Sequence, residues 1–206
     1  MSLERLRAAR IVAVLRADSA ADAVGAAVAL AEAGVRAVEL TFTTPGAAHA
    51  LREARERLPD DVLLGAGTIR TAGDLQAAVD AGAEFLVTPH LDVGLLGEML
   101  ASGVLTLPGI FTPSEAGVAL SAGAEVVKLF PASTGGLGHL KALLGPFPEL
   151  QVVPTGGIDA TAAKRWLEAG VVAVGAGSEL CPTAMVRTGE WDAVRAAAAS
   201  FLAEVN

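Results

Sequence analysis

The stretch Ser121-Ala-Gly-Ala-Glu-Val-Val-Lys-Leu-Phe-Pro131 reads as the end of a helix, a turning glycine and then a short buried strand. The same figure recurs as Glu32-Ala-Gly-Val, Asp80-Ala-Gly-Ala, Ala101-Ser-Gly-Val and Glu168-Ala-Gly-Val. Each repeat puts a glycine (Gly34, Gly82, Gly103, Gly123, Gly170) where a helix should end, because glycine enters the left-handed region without steric penalty. Strand-length apolar runs recur at Ile11–Leu15, Ala37–Phe42, Val62–Gly65, Phe85–Thr88, Val104–Leu107, Val126–Phe130, Gln151–Pro154 and Val171–Gly175. Between them lie stretches of helical period: Ala20–Glu32, Ala47–Leu58, Ala72–Ala81, Gly94–Ala101 and Ala160–Glu168. Asp18, Thr71, Asp92, Ser114 and Asp159 are the expected caps, and Gly135-Gly136 and Pro146-Phe147-Pro148 read as loops.

Strands in strict alternation with helices predict a parallel sheet. Eight of them predict a (β/α)8 TIM barrel as a single domain over residues 1–206, with an extra N-terminal helix at Leu3–Ala9 covering its lower end and a final helix at Glu190–Val205. An open doubly wound sheet is the structural alternative, since alternation does not itself show closure.

Composition narrows the partners. With 206 residues the chain fits one core, and 52% hydrophobic content is ample to fill it. No apolar run approaches the roughly 18 residues of a membrane span. A formal net charge of -8 argues against nucleic acid and anionic membranes, both of which draw on basic surface. A small molecule is the expected partner. The charged N-terminus lacks the apolar stretch of a signal peptide and Cys181 is the only cysteine, so a cytoplasmic protein is expected.

In a parallel barrel the chemistry sits at the C-terminal ends of the strands. Alternation turns Val127 and Leu129 toward the helices and Val126, Lys128 and Phe130 toward the interior. Burial disfavours an ammonium and so favours the neutral amine, which can attack a carbonyl. The competing reading is a snorkelling or ion-paired lysine. Lys141 and Lys164 lie on helical stretches, where a solvated face explains them. In Val38-Glu-Leu-Thr-Phe-Thr43 the apolar set Val38, Leu40 and Phe42 faces outward, leaving Glu39, Thr41 and Thr43 inward. A carboxylate in apolar surroundings suits general acid–base work; its competing role is to neutralise Lys128 or Arg16. Arg16 ends the first strand and offers a fork for a carboxylate or phosphate, unless it is a rim residue.

Two glycine turns, Thr155-Gly156-Gly157 and Gly175-Ala-Gly177-Ser178, follow the last two strands, where barrel loops often hold phosphate. Gly65-Ala-Gly-Thr68 reads as a further close-approach loop, and His90 as a polar pocket or rim residue. No metal is expected, because His49, His90 and His139 lie far apart in sequence. Cys181 reads as structural.

These residues in this order, from Ala13-Val-Leu-Arg16 through Val87-Thr-Pro-His90, Pro108-Gly-Ile-Phe-Thr-Pro-Ser-Glu115 and Val127-Lys-Leu-Phe-Pro131 to Val174-Gly-Ala-Gly-Ser178, resemble the 2-keto-3-deoxy-6-phosphogluconate (KDPG) aldolase family. The resemblance spans nearly the whole chain. It implies a cofactor-free, Schiff-base aldolase, a homotrimer, acting on a 2-keto-3-deoxy sugar acid phosphate. By that resemblance Lys128 forms the Schiff base and Glu39 is the general acid–base. Thr68, Pro89 and Phe130 shape the pyruvyl pocket, and Thr155, Gly156, Gly157, Gly177 and Ser178 meet the phosphate. The enteric form of the family has an arginine where Thr43 stands; other members, with Thr-Phe-Thr on strand two, carry an arginine like Arg16 on strand one, a relocated charge that could replace it. The rival readings are cleavage of 4-hydroxy-2-oxoglutarate or of the phosphogalactonate epimer, a metal-dependent epimerase or isomerase, and a non-catalytic sugar-phosphate-binding barrel.

Overall fold

A computed structural model describes residues 2–205. Strand and helix alternate along it as α1 (Ser2–Ala9), β1 (Ile11–Leu15), α2 (Ala20–Glu32), β2 (Ala37–Thr41), α3 (Ala47–Arg57), β3 (Leu63–Gly67), α4 (Ala72–Asp80), β4 (Phe85–Val87), α5 (Val93–Ala101), β5 (Leu105–Leu107), β6 (Gly109–Ile110), α6 (Pro113–Ala122), β7 (Val127–Leu129), α7 (Ala132–Leu144), β8 (Val152–Pro154), α8 (Ala160–Glu168), β9 (Val174–Ala176), α9 (Thr183–Arg187) and α10 (Trp191–Val205). The five repeat glycines end helices as expected, with φ of 105° at Gly34, 81° at Gly82, 73° at Gly103, 98° at Gly123 and 87° at Gly170. Thr71, Asp92 and Asp159 cap their helices, whereas Ser19 rather than Asp18 caps α2 and Thr112 rather than Ser114 caps α6.

The closed eight-stranded TIM barrel is not what forms. The ladders divide into a six-stranded parallel sheet, in the order β5-β4-β3-β2-β1-β9, and a three-stranded one, β6-β7-β8, giving an open α/β architecture. The division has a local cause at one junction. Pro108 separates β5 from β6, and a proline has no N–H to continue a ladder. At the other junction β8 and β9 share a single isolated bridge, Thr155 to Gly175. A further correction concerns Gly135-Gly136, which lies not in a loop but inside α7, where Gly136 (φ 60°, ψ -166°) breaks the helical path.

Two apolar layers hold the sheets. Outward-facing Val38, Leu40, Val127 and Leu129 pack with the helices in the larger core. The inward faces of the strands make a second core of Val12, Ala37, Leu63, Phe85, Val87, Leu107, Val126 and Val153, into which α1 inserts Leu6. Leu6 is fully buried, worth about 1.5–3 kcal/mol of transfer free energy. This inner core occupies the lower part of the strands, so polar residues placed further along them, toward their C-terminal ends, form a separate chamber.

Candidate active site

The chamber holds one buried cation and one buried carboxylate. Lys128, at the centre of β7, is 5% exposed, and Glu39, at the centre of β2, is 2% exposed. Lys128 Nζ stands 3.6 Å from Glu39 Oε1. That is close enough for charge pairing and too long for a hydrogen bond, and Glu39 Oε1, buried, has no hydrogen-bond partner. A buried carboxylate oxygen that the protein's own donors leave free is available to a ligand, a water or a migrating proton. Phe130 follows Lys128 and lies with its ring centroid 5.3 Å from Nζ, while 38% of the residue remains exposed at the mouth.

Glu39 reaches this position only because β3 yields to it. A Cβ on Gly67, which pairs with Thr41 across the ladder, would lie 1.8 Å from Glu39 Oε1. The Gly65-Ala-Gly-Thr68 loop is thus largely strand: Gly65 to Gly67 belong to β3, and only Thr68 lies beyond it, half-buried at a left-handed φ of 55°. For a β-branched residue that conformation is costly and is held by its surroundings.

The remaining expected residues ring the same C-terminal strand ends. Arg16 follows β1 on the side of Val14, which is in register with Glu39; it is exposed and makes no ion pair among the described residues. Glu39 therefore pairs with Lys128, not with Arg16. Thr43 is exposed in the turn after β2, with its hydroxyl 3.0 Å from that of Thr41, which donates to Leu15 O at 3.2 Å. Pro89 is half-buried and His90 exposed in the turn after β4. Gly156 and Gly157 adopt left-handed φ of 102° and 66°, and the Thr155–Gly175 bridge draws their turn beside Gly177 and Ser178. The two glycine turns, separate in sequence, meet at one rim.

Other candidates lie apart from the chamber. Lys141 and Lys164 are exposed on helices. Among the described residues no three His, Cys, Asp or Glu side chains come together as a metal would require. Cys181 is buried, and burial pushes its thiol up to about 11, so it is a poor nucleophile.

Residues 3–197 match the family profile "KDPG and KHG aldolase". The chain belongs to that family. This aldolase, a lyase, is 39% identical over 186 residues to the 2-dehydro-3-deoxy-phosphogluconate aldolase of Pseudomonas aeruginosa, covering 90% of this chain and 84% of that one. It is 35% identical over 193 residues to the Haemophilus influenzae enzyme of the same name, covering 93% and 91%. The crystal structure of the Legionella pneumophila KDPG aldolase, with pyruvate captured as a covalent carbinolamine, superposes with a TM-score of 0.90 at 32% identity over 98% of both chains.

Two features of the aldolase site escape a reading of the sequence. Gly67 reads as part of a close-approach loop, but the group that approaches it, the Glu39 side chain, lies on the neighbouring strand and leaves no local signal. The Thr155–Gly175 bridge joins segments that only the tertiary fold brings together.

Proposed function

We propose that this aldolase cleaves 2-keto-3-deoxy-6-phosphogluconate to pyruvate and glyceraldehyde 3-phosphate through a Schiff base on Lys128. The observation that carries the reading is the buried Lys128–Glu39 pair, a single amine and a single open carboxylate 3.6 Å apart. Lys128 Nζ attacks the C2 ketone, and loss of water leaves an iminium that serves as electron sink. Glu39, directly or through a water, takes the proton of the C4 hydroxyl. The C3–C4 bond breaks, the aldehyde departs, and the pyruvyl enamine is protonated at C3 before hydrolysis frees the lysine. Every proton transfer can be served by Glu39, whose oxygen faces the same amine. No metal or organic cofactor enters the scheme.

Thr68, Pro89 and Phe130 bound the pyruvyl end in this proposal. The backbone of Gly156 and Gly157, with Thr155, Gly177 and Ser178, receives the phosphate. Arg16 supplies the fixed charge for the substrate carboxylate in place of an arginine at Thr43, and His90 lines the rim. A cytoplasmic homotrimer completes the reading; the exposed Val93 and Val118, on α5 and α6, give it apolar surface to cover. Light scattering checks the assembly.

Borohydride reduction in the presence of pyruvate, followed by peptide mapping, tests the chemistry. A pyruvyl adduct on Lys128 is expected; an adduct on another residue, or none, overturns the scheme. Comparing kcat/KM for the phosphogluconate, the phosphogalactonate epimer and 4-hydroxy-2-oxoglutarate tests the substrate, with the first expected to lead.

A further inference from the structure

The seam between the two sheets runs beside Lys128, and one side chain crosses it. Thr88, 3% exposed, follows β4. Its N–H donates to Leu107 O at 3.2 Å, the last rung joining β4 to β5. The next residue, Pro108, has no N–H to give. Beyond it the chain enters the other sheet, where Gly109 N–H donates to Thr88 Oγ1 at 3.0 Å. The same hydroxyl donates to His90 O at 2.7 Å, closing the Pro89–His90 turn. A threonine hydroxyl has one proton and two lone pairs, so it can accept from Gly109 while donating to His90. It thus takes, in place of the Thr88 carbonyl, the Gly109 N–H with which the parallel ladder would have continued past Pro108.

What the hydroxyl holds is close to the reacting groups. Gly109 is in register with Lys128, and Lys128 N–H donates to Pro108 O at 2.9 Å. The Pro89–His90 backbone lies directly on Gly109: a Cβ there would come within 2.5 Å of the Pro89 carbonyl carbon and 2.6 Å of His90 N. One buried oxygen therefore fixes the backbone beside the lysine on one side of the seam and the pocket turn on the other.

We propose that Thr88 is a positioning residue for the aldol reaction, clasping the seam so that the Lys128 amine and the Pro89–His90 turn keep their spacing. This rests on Lys128 being the Schiff-base lysine. Thr88→Val preserves shape and removes both hydrogen bonds, whereas Thr88→Ser restores them. In Thr88→Val, kcat per folded molecule and the rate of pyruvate–borohydride labelling of Lys128 should fall together by about tenfold, as expected when a reacting group shifts by a fraction of an ångström. Thr88→Ser should recover to within about twofold of the parent. A merely structural threonine would lower the melting temperature of Thr88→Val and leave kcat of the folded enzyme at the parental value, which overturns the proposal. Should Thr88→Val not fold, Thr88→Cys, whose thiol bonds weakly, is measured instead; kcat equal to the parent's in that variant is equally fatal, and a partial loss supports the clasp. Failure of the parent itself to label at Lys128 would refute the Schiff-base reading and not the clasp alone.

Discussion

Glu84 and Glu39 are both carboxylates in contact with cations, one just before a strand and the other midway along one, and they differ in what their oxygens lack. Glu84 immediately precedes β4. Its Oε1 accepts from Arg5 at 2.7 Å, and its Oε2 accepts from Arg55 at 3.1 Å and from Leu64 N–H at 3.0 Å. Arg55 is itself anchored on the carbonyls of Leu58, Pro59 and Val62. That network ties α1, α3 and β3 together and leaves nothing for a ligand to do. Glu39 has a single cation beyond hydrogen-bond reach and an oxygen with no partner. A saturated carboxylate is a fastening, while an open one facing an amine is poised for proton transfer.

The sharpest way to break this contrast is at its cation. Lys128→Ala should lower kcat by about 10⁴-fold or more, the scale on which loss of a covalent nucleophile is felt, and should abolish pyruvate–borohydride labelling. Residual labelling at another lysine would show that the pair is structural after all. Glu39→Gln keeps the shape and removes the base. A loss in kcat of about 10²- to 10⁴-fold is expected with KM little changed, because the lost interaction belongs to proton transfer. Gly67→Ala approaches the same end by steric means: the new Cβ competes for the space of Glu39 Oε1, and a carboxylate pushed by an ångström should cost about 10²-fold in kcat.

That glycine also marks where the sequence stopped being legible. Strand alternation was strong enough to turn Lys128 and Glu39 inward, because the apolar residues flanking each one in sequence must pack on helices and leave them the other face. The helix ends were legible in the repeated glycines for the same local reason. The seam was not. β6 has only two residues, Gly109 and Ile110, too short for any periodicity, and whether ladders close depends on hydrogen bonds across the whole assembly. Gly65 and Gly67 suggested a loop, although in β3 they answer to Phe85 and Glu39 on neighbouring strands. Local pattern fixed which way side chains point, and non-local contact decided what they meet.

The opposite pole of the comparison predicts stability without chemistry. Glu84→Ala leaves Arg5, Arg55 and Leu64 N–H without their acceptor, at a cost of about 1–3 kcal/mol. A lower melting temperature is expected, with kcat of the folded enzyme unchanged. A fall in kcat at constant folded fraction would mean that the lower end of the sheets is coupled to the site.

The finest test asks whether location or hydrogen-bond saturation makes the difference, and Glu115 separates them. It follows the C-terminal end of β6, the end toward which the proposed site opens, yet its Oε2 accepts from Phe111 N–H at 2.8 Å, Thr112 N–H at 2.7 Å and the Thr112 hydroxyl at 2.8 Å. Burial pushes its carboxyl up, but those three bonds together outweigh it and hold the group below the ordinary 4.5. A carboxyl depressed in the folded state stabilises the fold above its unfolded value and loses that contribution as pH falls through the folded one. Glu115→Gln should therefore cost a little stability at pH 7. The gap to the parent, followed by denaturant midpoint, should shrink as the pH drops below about 4.5. Aldol cleavage by the folded variant should match the parent. Were Glu115→Gln to lose activity as Glu39→Gln is expected to, position near the strand ends would be the determinant, and the open oxygen of Glu39 would no longer single that carboxylate out as the proposed base.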